Sequence, residues 1–280
     1  KNIDALLPST SPFLHDLFQR LVNSRFDQNL SWLLDDITSL LSRTMVAEVF
    51  QGEQDPSIHF YQDFLDAYDP SVRASHGVYY TFDAVVSNIV ERLNICFIED
   101  FGMPLGFADP SSWAVASKTL GFAVPDGLDP DAAFIQILDP AAGTGTFLKT
   151  CLERIHSTML SQWSDLNASD RKAAWSDYVR GKGDWLGRGL LSRLSGFEVL
   201  MAPYIVCHLR LGLVLEETGF KFNSEDRIRV FLTNTLEPAS AKQLEILGEA
   251  VAEESRTADK LKMNDPVTVF LGNPPYQNLG

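Results

Sequence analysis

Four short apolar runs, residues 133–138, 194–198, 228–232 and 267–271, are each followed by a polar or glycine-bearing turn, and helical patterns lie between them. Runs of this length suit strands buried on both faces. Strands alternating with helices require crossovers, and hence a parallel sheet covered on both sides. The sequence therefore predicts an α/β fold with about four parallel strands. Ligands of such sheets bind beyond the carboxyl ends of the strands. Asp139, Glu198, Asn234 and Asn273 each follow a run.

Ahead of the sheet, residues 13–68 are patterned as helices. Leu14, Leu17, Phe18 and Leu21 fall at i, i+3, i+4 and i+7, and further helices are expected over 32–50 and 57–68. Residues 1–74 are read as a small helical bundle and 75–280 as the α/β part. In the latter, helices are expected over 83–97, with Val86, Ile89, Val90 and Leu93 on one side, and over 146–163, 202–217 and 241–252. The polar stretch 164–182 reads as a surface helix, and the Gly/Pro-rich region 101–131 takes no assignment.

Composition narrows the function. The 280 residues are 45% apolar, enough for a proper core and too apolar for disorder. A net charge of -14 and a pI near 4.7 exclude a broad basic face for nucleic-acid phosphates within this segment. Cys96, Cys151 and Cys207 have no CxxC spacing, which argues against a disulfide framework or a zinc site and fits a reducing cytoplasm. The five histidines show no ligand spacing, so no metal is expected. The longest apolar run, 204–215, contains His208 and Arg210 and is too short to span a bilayer, so no membrane partner is expected. No signal peptide is expected. The opening Lys1 and the abrupt end read as a segment of something longer.

The first strand-to-helix turn is Asp139-Pro140-Ala141-Ala142-Gly143-Thr144-Gly145-Thr146-Phe147-Leu148. Gly143 and Gly145 permit a tight turn and close approach of a ligand, and the helix start behind them offers unpaired N–H groups. A dinucleotide fingerprint would place a third glycine at position 148, where Leu148 stands, and Asp139 would repel a pyrophosphate. A ligand with a cationic, hydroxyl-rich face fits better, and S-adenosylmethionine carries a sulfonium, an ammonium and a ribose diol. Glu198, at the end of the second run, is placed to accept hydrogen bonds from both ribose hydroxyls. Nearly sixty residues separate it from the glycine turn, against about 20 in the usual arrangement. The stretch 164–193 would have to loop out.

The sharpest signal is Asn273-Pro274-Pro275-Tyr276. An exocyclic aromatic amine is a weak nucleophile because its lone pair is delocalised into the ring. The Asn273 side-chain oxygen and the Pro274 carbonyl can each accept one amine hydrogen, which favours a pyramidal nitrogen. The prolines fix the backbone so that this carbonyl points outward, and Tyr276 offers a face for stacking. Catalysis of this kind is positioning plus preorganised dipoles, without a strong general base. Two weaker features join these. Tyr79-Tyr80-Thr81 either meets a ligand carboxylate through a hydroxyl and helix N–H groups or is a helix cap with packed aromatics. Thr233-Asn234-Thr235 either contacts an adenine ring or ends its strand.

The order of these segments resembles the γ-type amino methyltransferases that make N6-methyladenine in DNA. Residues 59–65, 77–81, 197–204 and 234–237 read closest to the methyltransferase region of type ISP restriction–modification enzymes. That resemblance implies a Rossmann-like, S-adenosylmethionine-dependent methyltransferase sheet, truncated to about four strands of seven, with the helical part in front. It implies a catalytic role for Asn273, Pro274, Pro275 and Tyr276, and cofactor contacts from Tyr80, Thr81, Asp139, Pro140, Ala141, Gly143, Gly145, Thr146, Phe147, Glu198 and Asn234. It also implies double-stranded DNA as partner, a flipped target base, and helicase-like ATPase and nuclease regions in the same chain. The rest of the sheet and a target-recognition domain would lie beyond Gly280, so the segment alone is expected to be inactive. Phe82 departs from the group, which has Pro at this place. Transfer to RNA, transfer to a protein glutamine, and a non-catalytic cofactor-binding or interaction module are the competing readings.

Overall fold

Strands β1 (Ile137–Asp139), β2 (Leu194–Glu198), β3 (Arg229–Leu232) and β4 (Val269–Phe270) form one all-parallel sheet in the order β3-β2-β1-β4. The computed structural model describes residue 14, residues 81–236 and residues 249–274. The expected N-terminal bundle lies outside the described residues except for Leu14, which is buried in the main core.

Adjacent strand residues face opposite sides of the sheet, and both sides are covered. Ile137, Val230 and Val269 join the large core on one side; Leu138, Phe197 and Phe231 pack with Ala258 and Leu261 on the other. The elements, in chain order, are α1 (Asp83–Glu99), α2 (Trp113–Leu120), α3 (Thr146–Gln162), α4 (Ala168–Arg180), α5 (Leu190–Arg193), α6 (Met201–Glu217) and α7 (Glu249–Asn264). Helix α3 buries Phe147, Leu148, Cys151, Leu152, Ile155 and Met159, one apolar face directed at the large core. The position that lacks a third glycine is explained by its partner strand. Leu148 packs against Gly196 of β2, where an added Cβ would lie 2.8 Å from Leu148 Cδ1. The close helix–sheet approach is thus made by a glycine on the strand.

Several expectations are corrected. Strand β1 begins at Ile137 rather than 133, because the preceding backbone is engaged elsewhere: Phe134 N–H donates to Ser111 O and Gln136 N–H to Thr268 Oγ1. Strand β4 is likewise shorter than expected, Val269–Phe270, and on its N-terminal side Thr268 gives its hydroxyl oxygen to the Gln136 N–H. Along α1 the buried stripe is Val86, Val90, Asn94 and Phe97, and Ile89 is exposed. Asn94 belongs to that stripe because its Oδ1 accepts the Phe107 N–H at 2.9 Å. The unassigned region 101–131 contains a short 3-10 turn, Gly106–Ala108, and α2. Helix α7 continues to Asn264, beyond the expected end at 252; most of the stretch expected before it lies outside the described residues.

The stretch 164–193 does not loop out. Asn167 caps α4, accepting from Asp170 N–H at 3.0 Å, and the helix buries Trp175, Tyr178 and Val179. Tyr178 donates its hydroxyl to Ala108 O at 2.7 Å, and the buried Arg193 guanidinium spans Phe107 O, Asp109 O and the Tyr178 hydroxyl. The insertion is thus integral to the core. Among the described residues, no helix is long and apolar enough to cross a membrane.

Candidate functional site at the carboxyl edge of the sheet

Asp139 and Glu198 are the last residues of the neighbouring strands β1 and β2, so the pairing itself brings them to one edge. Between them runs the glycine turn. Gly145 precedes α3 with φ 83, the left-handed region, and an added Cβ there would lie 2.6 Å from Cys207 Sγ. Gly143 also has positive φ, and a Cβ added to it would meet nothing within 4 Å, so the turn presents open space outward at that residue.

Glu198 ties the turn to β2. Its Oε2 accepts the Gly143 N–H at 2.8 Å and its Oε1 accepts the Leu200 N–H at 2.7 Å. Burial pushes this carboxyl above its ordinary range, while the Leu200, Gly143 and Val199 amides pull it back. A carboxylate has about four lone-pair sites, so the group retains accepting capacity after these bonds.

Asp139 is 1% exposed. Its Oδ1 accepts the Ala141 N–H at 3.0 Å, whereas its buried Oδ2 has no hydrogen-bond partner among the described residues. Burial raises its pKa to about 7, the Ala141 amide opposes this, and the Glu198 charge adds to it. A buried carboxylate oxygen without a partner is costly in isolation, and a donor or cation from a ligand would satisfy it.

The segment after β4 meets Asp139 directly. A Cβ added at Gly272 would lie 2.4 Å from Asp139 Oδ1, so only glycine lets this backbone pass. Leu271 N–H donates to Leu138 O at 3.1 Å, fixing the exit of β4 beside that of β1. The next residue, Asn273, donates from Nδ2 to Thr81 Oγ1 at 3.1 Å. Two sequence candidates 192 residues apart are therefore in contact. Pro274 is exposed beside them.

Pro140 is joined to the loop after β3, since Thr235 donates its hydroxyl to Pro140 O. The Asn234 side chain is exposed and its Oδ1 accepts the Leu236 N–H at 3.0 Å. Phe147 is packed in the core, so that residue can offer a ligand its backbone only. Thr146 is largely buried, with Oγ1 facing Arg210. Tyr80, Pro275 and Tyr276 lie outside the described residues.

Three contributors were missed in the sequence. Gly272 could have been noticed as a small residue immediately before Asn273. Lys262, which donates to Thr233 Oγ1 at 2.9 Å and Asn234 O at 2.7 Å, sits in a polar helix pattern and carries no local signal, whereas Arg210 stands out as a charge within the apolar run 204–215.

An open parallel α/β sheet with its polar side chains gathered at the carboxyl edge defines the class of fold. Within that class, a solved structure of a nuclease-deletion mutant of the type ISP restriction–modification enzyme LlaGI, in complex with a DNA substrate mimic, is similar over 95% of this chain and 17% of that one, at 18% identity and a TM-score of 0.51. A cryo-electron-microscopy structure of a DrdV–DNA complex is similar over 79% of this chain and 16% of that one, at 20% identity and a TM-score of 0.47. The chain thus spans about one sixth of the length of either protein. No protein-family model and no curated protein matches the chain.

Proposed function

We propose that this chain is part of a restriction–modification enzyme and forms the donor side and start of the catalytic peptide of a site-specific DNA methyltransferase, which moves a methyl group from S-adenosylmethionine to adenine N6. The observation that carries the reading is the meeting of Asp139, Gly272 and Asn273 at one sheet edge, with Thr81 bonded to Asn273. Asp139 Oδ2, buried and without a partner among the described residues, fits the cationic donor, and Glu198 fits its ribose. When bound, S-adenosylmethionine supplies an electrophilic methyl group on a sulfonium. The residues here bind and orient: the Asn273 amide oxygen and the Pro274 carbonyl accept the hydrogens of the amine.

The likeness to a type ISP enzyme in complex with a DNA substrate mimic favours DNA as acceptor. A charge of -14 leaves most phosphate contacts to regions outside this chain, where ATPase and nuclease parts would also reside. The test uses the full-length protein. Asn273→Ala is expected to abolish methyl transfer to duplex DNA while sparing S-adenosylhomocysteine binding in calorimetry. Wild-type transfer in that variant removes the catalytic assignment, and labelling of RNA or protein with DNA blank assigns a different acceptor.

A further inference from the structure

Helix α6 reaches under the glycine turn with two residues one turn apart on the same face. Cys207 packs its sulfur where a Cβ on Gly145 would stand. Arg210, 4% exposed, places Nη1 2.7 Å from Thr144 O, 3.2 Å from Thr144 Oγ1 and 3.3 Å from Thr146 Oγ1. That nitrogen carries two hydrogens, so three oxygens share them around the strongest contact, to the Thr144 carbonyl.

We infer that Arg210 is a positioning residue that sets the conformation of the donor-binding turn from beneath; the inference rests on the proposed donor site. A trans peptide unit is planar, so directing the Thr144 carbonyl at Arg210 directs the Gly145 N–H the opposite way. That N–H donates to Ala142 O at 2.8 Å, which closes the turn. Rotation of this peptide plane would break both bonds. Helix α6 also begins just after Leu200, whose N–H holds Glu198 Oε1. One rigid helix therefore references both the turn and the carboxylate that binds Gly143. Lysine is a poor replacement, because its flexible stem does not fix the direction of its ammonium as the planar guanidinium fixes Nη1.

The test combines amide hydrogen exchange of the unliganded full-length protein with S-adenosylhomocysteine calorimetry, for wild type, Arg210→Met, Arg210→Lys and Arg193→Lys. Arg193 is a similarly buried arginine at the opposite end of β2 from Glu198, and it donates to the Phe107 and Asp109 carbonyls. Arg210→Met is expected to speed exchange at residues 143–147 and weaken binding, each by about tenfold or more, as loss of a charged hydrogen bond implies. Exchange in Ala168–Arg180 stays at the wild-type rate, and Arg210→Lys falls between. Arg193→Lys is expected to do the reverse, loosening Ala168–Arg180 while leaving affinity within about twofold. Should Arg210→Met not fold, Arg210→Lys gives the same readout at smaller amplitude. Unchanged exchange at 143–147, or equal loosening of the whole molecule by both arginine changes, overturns the inference. If wild type itself binds no S-adenosylhomocysteine, the donor-site reading fails, and the exchange at 143–147 still decides whether Arg210 holds the turn.

Discussion

Replacing Asp139 with Asn separates what the residue does for the fold from what it does for a ligand. Its carboxyl is raised from 3.8 to about 7, chiefly by burial. A group whose folded pKa exceeds its unfolded value holds its proton more tightly in the folded state. Its contribution is intact below the unfolded pKa and is lost as pH rises through the folded one. Here the window runs from about pH 4 to about pH 7. A shift of about 3 units corresponds to ~4 kcal/mol of stability forfeited by the ionised form above pH 7. Asn keeps the acceptor for Ala141 N–H but puts an amide where Oδ2 has no partner among the described residues, at a cost of about 1–3 kcal/mol. Asp139→Asn is therefore expected to be more stable than wild type at pH 8, by about 1–3 kcal/mol, and less stable near pH 4.5. Urea denaturation of both proteins at pH 4.5, 6 and 8, without ligand, reads the difference. The variant should also lose S-adenosylhomocysteine binding, a gain of fold at the expense of site. A stability difference of the same sign and size at all three pH values refutes the reasoning.

In wild type, affinity for S-adenosylhomocysteine, whose ammonium prefers the ionised carboxylate, should fall as pH drops below about 7; calorimetry across pH 5.5–8.5 checks this. Gly145→Ala adds a Cβ 2.6 Å from Cys207 Sγ at φ 83, and should cost about 1–3 kcal/mol. Adding Cys207→Ala should recover only the part due to the clash, as thermal unfolding would show. Tyr178→Phe removes the donor to Ala108 O and the acceptor for Arg193. It should destabilise by about 1–3 kcal/mol in urea and leave donor binding at the wild-type affinity.

The parallel sheet was legible because its strands are short apolar runs with polar residues at their ends, and Leu194–Glu198 is found with the expected bounds. The ends of β1 and β4 were not, since hydrogen bonds between residues distant in sequence intervene, such as Gln136 N–H to Thr268 Oγ1. The helix expected in the insertion before β2 is present as Ala168–Arg180, but its attachment to the core was not legible, for a related reason. Trp175 and Tyr178 lie in a polar helix, and only tertiary partners such as Ala108 and Arg193 make that helix part of the core. Asp139, Gly143, Glu198 and Asn273 could be named because each stands where a strand ends or a turn needs glycine. Arg210 and Lys262 could not, because a long cation on a helix gives no sign of what it reaches.

The proposed function requires one sheet edge to hold both a methyl donor and a target adenine amine. Incubating the full-length protein with methyl-labelled S-adenosylmethionine and duplex DNA, then digesting to nucleosides and separating them, tests it most directly. Label is expected in N6-methyladenine alone. Label in a cytosine product, or none in DNA while RNA or protein becomes labelled, would contradict it.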